Sequence, residues 1–256
     1  MWNSLKARLG NGFQVFGCDL RKLRTIGPRA KAFATWPTFD FGTYEMVARL
    51  YKQGVLPGMI IDVGANTGQF AFAAAKFFPR AQVHSFEPLP EAVGNLNNNV
   101  SGLSNVTVYP LALGDHEGEA TFHANTYSPA SSFLPFTQTH RDVFPYAQET
   151  KSVKVKISTL DKVFADIELK PPALLKLDVQ GYEPQVIRGG AETLSRMDYI
   201  LMETSFEPLY QGELPFSRMV QLMEEQGFCF ERPVGWIEAS RTQKLLQMDV
   251  LFASAS

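Results

Sequence analysis

Only two cysteines occur in 256 residues, Cys18 and Cys229. They fit no metal-ligand spacing and no disulfide framework, and read as free thiols of a reducing compartment. No run approaches the roughly 18 apolar residues of a membrane span. The stretch "MWNSLKARLGNGF" lacks an apolar core followed by a small-residue cleavage site, so no secretory signal is expected and the cytoplasm is the expected location. Internal repeats and low-complexity linkers are missing too. So are two nucleotide-loop signatures. No Gly-Lys-Ser/Thr follows the glycine turn, which argues against a phosphate-binding loop. No G-x-G-x-x-G occurs there either, which argues against a nicotinamide-dependent oxidoreductase.

What charge there is lies unevenly. The net charge is −2, yet residues 1–31 carry seven basic side chains against Asp19 alone, a net of about +6. Such an arm suits peripheral contact with an anionic substrate, phospholipid or nucleic acid, or is simply a solvated extension. We set residues 1–39 apart as an N-terminal basic extension with helical character.

From residue 40 the pattern becomes regular. "FDFGTYEMVARLYKQG" is an amphipathic helix with Tyr44, Val47, Leu50 and Tyr51 on one face. "MIIDVG" is a short apolar strand of the kind buried on both faces. The helix "QFAFAAAKFF", the strand "AQVHSFEP", the helix "EAVGNLNNNV" and the strand "NVTVYPLAL" follow. That alternation predicts a doubly wound parallel sheet. The rhythm stops around 118–160, where "EATFHA" and "KSVKVKIST" flank a proline-bearing insertion, and we expect residues 124–150 to form a mobile lid over an acceptor site. It resumes with the strand "ALLKLDV", a helix at about 184–195, the strand "DYILMET" and the helix "PFSRMVQLMEEQG". "FCFERP" and "MDVLFAS" close as an antiparallel pair at one edge.

The turn "DVGANTG" puts Asp62 at the carboxyl end of the first strand, where open α/β sheets bind ligands. Gly64 and Gly68 permit close backbone approach. Asp62 suits a ligand carrying an ammonium group better than a pyrophosphate. Glu87 ends the second strand and can accept hydrogen bonds from both hydroxyls of a ribose. A ligand with ribose and ammonium but no pyrophosphate describes S-adenosylmethionine.

The blocks "IIDVGANTGQF", "HSFEPLPEAVGNLNNNV", "PLALGDHEGEATF", "STLDKVF", "LLKLDVQGYEPQVIRGG", "ILMET" and "MDVLFAS" resemble, in order over roughly residues 40–253, the FkbM family of S-adenosylmethionine-dependent methyltransferases. The resemblance implies a class I, Rossmann-like methyltransferase fold, a seven-stranded sheet with the last strands antiparallel. It implies transfer to hydroxyl groups of sugars, glycans or polyketides. Carried over residue by residue, Asp62, Gly64, Ala65, Asn66 and Gly68 line the methionine end of the cofactor. Glu87, beside Pro88, holds the ribose, and Ala112 and Leu113 face the adenine. Asp115 is less firmly placed.

For the chemistry, Asp178 and Glu203 end the fourth and fifth parallel strands and are the candidate catalytic carboxylates, either accepting a proton or orienting a hydroxyl; Asp178 also belongs to the cofactor side. Asp178 alternatively caps the next helix. Ser131, Ser132, His140 and Tyr182 are candidate acceptor contacts, with His123 a further candidate base and His84 a packed strand residue. Two carboxylates fall short of a divalent-cation site, so no metal is expected. The leading reading is a sugar O-methyltransferase. Its rivals are a nucleic-acid or small-molecule N-methyltransferase and a cofactor-binding module without turnover. Nucleic acid is not the expected partner, because "LDVQG" stands where amino-methylating DNA enzymes carry Asn/Asp-Pro-Pro-aromatic.

Overall fold

The computed structural model describes residues 37–125, 128–147, 150–238 and 243–255. The basic stretch 1–31, with Cys18 and most of the N-terminal extension, lies outside the described residues. Cys229 is exposed and free.

Helix α1 (Phe41–Lys52) starts where the Asp40 side chain accepts the Thr43 N–H at 2.7 Å, which occupies one of the helix's orphan donors. It buries Val47, Ala48 and Leu50; Tyr51, expected on the same face, is exposed. Strands β1 (Met59–Val63), β2 (Gln82–Phe86), β3 (Val106–Tyr109), β7 (Ala173–Leu177) and β8 (Tyr199–Ser205) are parallel neighbours. With β9 (Phe228–Glu238) and β10 (Leu245–Ser254) they form one seven-stranded sheet in the order β3-β2-β1-β7-β8-β10-β9. The last two strands pair antiparallel at one edge, as expected. Strand β10 inserts between β8 and β9 and runs against both.

Every residue of β1 and β7 is buried, because helices cover both faces. Met59, Ile61, Val63, Leu175 and Leu177 join the core on one face; Ile60, Leu174, Leu201 and Leu251 join the core on the other. Helix α2 (Gln69–Phe77) packs a nearly all-alanine flank into the second core, beside α1 and α3 (Pro90–Val100).

Three expectations change. "NVTVYPLAL" is two strands, because Pro110 cannot donate to a ladder: after β3, β4 (Ala112–Leu113) leaves the main sheet and pairs with β6 (Thr150–Ser158). β5 (Gly118–Asn125) pairs antiparallel with β6, so the pieces flanking the insertion form a second, three-stranded sheet in the order β4-β6-β5. Between them, the insertion holds a 3-10 turn at Ser128–Ala130 and helix α4 (Gln138–Val143). After α5 (Leu160–Phe164), the single helix expected near 184–195 is two, α6 (Glu183–Arg188) and α7 (Ala191–Leu194). Gly189 separates them; a Cβ there would lie 1.9 Å from the Gly114 carbonyl oxygen, so this close approach requires glycine. Helix α8 (Phe216–Glu225) leads into β9.

Candidate functional site

The second core face explains how the charges come together. Side chains alternate along a strand, so residues two past Ile60, Leu174 and Leu201 stay on their face while rising toward the carboxyl end of the sheet. Those residues are Asp62, Lys176 and Glu203. In antiparallel β10 the residue two before Leu251 does the same, and it is Asp249. Asp62 is registered against Lys176, and Glu203 against Asp249. Leu177 is registered against Met202, so the next step sets Asp178 beside Glu203. The result is an inner tier, Asp62 and Lys176, below an outer tier, Asp178, Glu203 and Asp249.

Lys176 links the tiers. Its ammonium lies 3.2 Å from Asp62 Oδ1 and 3.3 Å from Asp178 Oδ2, over the Phe70 ring. Burial pulls its pKa down, but Asp178 and Asp62 outweigh that, so it is held charged and its pKa is raised. Burial raises the Asp62 carboxyl, with Lys176 opposing the rise, and Ser85 Oγ donates to Asp62 Oδ2 at 3.3 Å. In the outer tier, Gln180 Nε2 donates to both Asp178 Oδ1 (2.8 Å) and Glu203 Oε2 (2.9 Å). Tyr210 donates its hydroxyl to Gln180 Oε1 at 2.7 Å, which fixes the amide. Burial, then the Asp178 and Asp249 charges, push Glu203 well above the usual carboxylate range. Burial and Asp178 push Asp249 up to about 7.

The turn after β1 lies against this cluster. Gly64 has φ +82°, and a Cβ there would sit 1.9 Å from the Asp178 carbonyl oxygen, so only glycine lets the two strand ends meet. Gly64 and Ala65 both donate backbone N–H groups to the Phe86 carbonyl at 3.0 Å. Glu87 follows Phe86. Its two oxygens accept the Asn66 and Leu89 N–H groups at 2.9 Å each, leaving further lone pairs for a ligand, and burial lifts its pKa to about 7. A cleft of about 1020 Å³ runs from Glu87, Ala112 and Leu113 past the turn to the outer tier, and on to α1 and β9.

Residues 62–230 match the methyltransferase FkbM domain. The chain belongs to the FkbM methyltransferase family. The 2-O-methyltransferase NoeI of Sinorhizobium fredii is 29% identical over 78% of this chain and 84% of that protein. The hexuronic acid methyltransferase AglP of Haloferax volcanii is 26% identical over 63% of this chain and 62% of its own length. A solved SAM-dependent methyltransferase of Aquifex aeolicus is 14% identical, with a TM-score of 0.44, over 83% of this chain and 93% of that one. The strand order, rather than so distant a superposition, carries the fold.

This FkbM protein is thus an S-adenosylmethionine-dependent methyltransferase, and its cleft suits that cofactor: an acid with spare acceptor capacity, a glycine turn, an apolar pair and an excess of carboxylates facing a cation. Of the residues singled out from the sequence, Gly64, Ala65, Asn66, Glu87, Pro88, Ala112, Leu113, Ser131, Asp178 and Glu203 line the cleft.

Five expected site residues do not line it. Asp62 is 0% exposed, and the ammonium it meets is the protein's own Lys176 rather than a ligand's. Gly68 is the left-handed N-cap of α2; a Cβ there would lie 2.5 Å from Leu96 Cδ1, so it serves helix packing. Ser132 is spent on the backbone, donating to the Gln180 carbonyl (2.7 Å) and accepting from Leu134 N–H (3.0 Å). Tyr182 packs on Phe133, with ring centroids 4.6 Å apart. His140 is 2% exposed, its ring stacked 3.8 Å from Phe136. Asp115 is on the surface, paired with Arg188 and His116. His84 is a packed strand residue, its Nδ1 2.9 Å from the Tyr109 hydroxyl.

Lys176, Gln180, Tyr210 and Asp249 were not among the site residues expected from the sequence. Two left a signal. Lys176 is the only charge in "ALLKL" and Asp249 the only one in "MDVLF"; a charge in an otherwise buried strand needs a partner. The left-handed φ of +57° at Gln180, which turns its amide toward the carboxylates, left none.

Proposed function

We propose that this enzyme transfers a methyl group to a hydroxyl of a saccharide or related polyhydroxylated acceptor. The carrying observation is the outer carboxylate tier, open to the cleft beside the glycine turn. The names of the relatives, a 2-O-methyltransferase and a hexuronic acid methyltransferase, favour the same reading.

When bound, the cofactor supplies an electrophilic methyl group on a sulfonium. Glu87 would accept the ribose hydroxyls, Ala112 and Leu113 would cover the base, and Gly64, Ala65 and Asn66 would give the methionine end its close approach. A carboxylate that merely attracted the sulfonium would stabilise the ground state, since that charge disappears on transfer. The useful work is therefore at the acceptor hydroxyl. Glu203, whose proton affinity burial raises well above that of an ordinary carboxylate, takes the hydroxyl proton. Asp178, neutralised by Lys176, orients the same hydroxyl, and Gln180 sets the spacing between the two. Residues 124–150 act as an acceptor lid. Support comes from Ser131 on the cleft wall, and from Ser128 Oγ, which donates to Asn66 Oδ1 at 2.8 Å and so ties the insertion to the turn.

The test is transfer from isotopically labelled S-adenosylmethionine to a panel of saccharides, read by mass spectrometry. Glu203→Gln should lower turnover roughly 10²–10⁴-fold, the range for losing a general base, with S-adenosylhomocysteine affinity changed less than about tenfold. Normal turnover in Glu203→Gln would shift the base to Asp178, and a panel with no methylated product would remove the saccharide assignment.

A further inference from the structure

The cleft continues past Asp249 to the wall formed by β9, where Trp236 lines it. The indole is 53% exposed, an unusual setting for so large an apolar side chain. It is nevertheless held. The Arg49 guanidinium lies 5.4 Å from the ring centroid, and Arg49 Nη1 donates to the Val234 carbonyl at 2.9 Å, so α1 fixes both the ring and the strand that carries it. Gly235, between Val234 and Trp236, is registered against Asp249; a Cβ there would lie 2.5 Å from Asp249 Oδ2. The glycine brings β9 against the carboxylate tier and leaves Trp236 one residue away.

The charges beside this platform are mostly of one sign. Asp40, Glu45 and Glu238 join Asp178, Glu203 and Asp249 along the cleft. Among the described residues, its only lining cations are Lys176, committed to Asp62 and Asp178, and Arg49, turned to Trp236 and Val234. A pyranose ring has an apolar C–H face and a rim of hydroxyls. An indole face takes the first and carboxylates accept from the second. An anionic sugar placed there would meet the like charge of Asp178, Asp40, Glu45 and Glu238 in a partly desolvated cleft, which selects against it.

Resting on the saccharide reading above, we infer that Trp236 is the stacking platform of the acceptor subsite, with Asp249 and Glu203 facing the sugar hydroxyls, and that the acceptor is a neutral or amino-bearing saccharide rather than an anionic one.

Calorimetric titration of the full chain, saturated with S-adenosylhomocysteine, tests this with three trisaccharides of matched length: chitotriose (neutral), its de-N-acetylated form (amino-bearing) and trigalacturonate (anionic). Chitotriose or its amino form should bind at least tenfold more tightly than trigalacturonate. Trp236→Ala should weaken that binding at least tenfold, Trp236→Phe less than threefold, and both should keep S-adenosylhomocysteine affinity within twofold, which also reports folding. Trigalacturonate binding as tightly as the others overturns the charge selection. Sugar binding unaffected by Trp236→Ala overturns the platform. Both outcomes leave saccharide O-methylation standing, whereas binding of none of the three overturns it together with this subsite.

Discussion

Lys176 sits with its ammonium between Asp62, which is fully buried, and Asp178, which opens onto the cleft. Removing one member of such a pair leaves a buried charge without compensation. Lys176→Met should therefore destabilise the protein by about 3–5 kcal/mol, measured by urea unfolding, and adding Asp62→Asn should restore most of the loss. A Lys176→Met protein as stable as the parent would show that the pair is not ionic. Sequence reasoning found Asp62, Asp178 and Glu203 because each ends a strand. It misread what Asp62 meets, since a strand-end carboxylate looks the same in sequence whether it faces a ligand or a lysine on the next strand. That lysine is about 110 residues further along the chain, and only register places it.

At the scale of elements, the insertion is built as a small core of its own. Phe136, Ala147, Leu209 and Tyr210 cluster, with Phe144 packed against them, and the His140 ring lies among the aromatics. Thr137 starts α4 by accepting the His140 N–H, and its hydroxyl also lies 3.0 Å from the Leu209 carbonyl oxygen. Burial, then Arg141, lower the His140 pKa to about 4, so the ring is neutral at working pH, and among the described residues its Nδ1 has no hydrogen-bond partner. His140→Leu should keep methyl transfer within about twofold and leave stability equal or higher, because an unsatisfied buried polar atom is removed. A fall in turnover beyond tenfold, with cofactor affinity intact, would return the imidazole to the chemistry. The main βα units were legible from their apolar periodicity. The short helices α4 and α5 were not, since five or six residues give too little period to read. Nor was the departure of β4 to a second sheet, which follows from Pro110 and a partner strand some 40 residues on.

Across the whole molecule, the convergence of acids has an energetic consequence. Burial is the first cause of the raised pKa in Glu87 (about 7), Asp249 (about 7) and Glu183 (about 8). The native state thus holds protons that the unfolded chain, with ordinary carboxylates near 4, has already released. Stability is full below that unfolded value and declines as pH rises through the native ones. Between pH 5 and 8 the Tm of the cofactor-free protein should fall by roughly 5 °C or more, opposite to the acid lability of salt-bridged carboxylates. Scanning calorimetry across that range checks it. Asp249→Asn should flatten part of the slope and raise Tm at pH 8. A flat Tm would mean these acids are as well solvated folded as unfolded, and a Tm that climbs with pH would mean the fold stabilises their ionised form.

The position of β10 bears on synthesis. It is translated after β9 yet lies between β9 and β8. While the ribosome still shelters Leu245–Ser254, β8 has an open edge on that side and β9 has no neighbour to join. Asp249 arrives with the same strand, so the acceptor end of the cleft is assembled last, after the turn that approaches the cofactor. A nascent chain can therefore hold the glycine turn, Asp178 and Glu203 before it acquires Asp249 and the strand that completes the acceptor end.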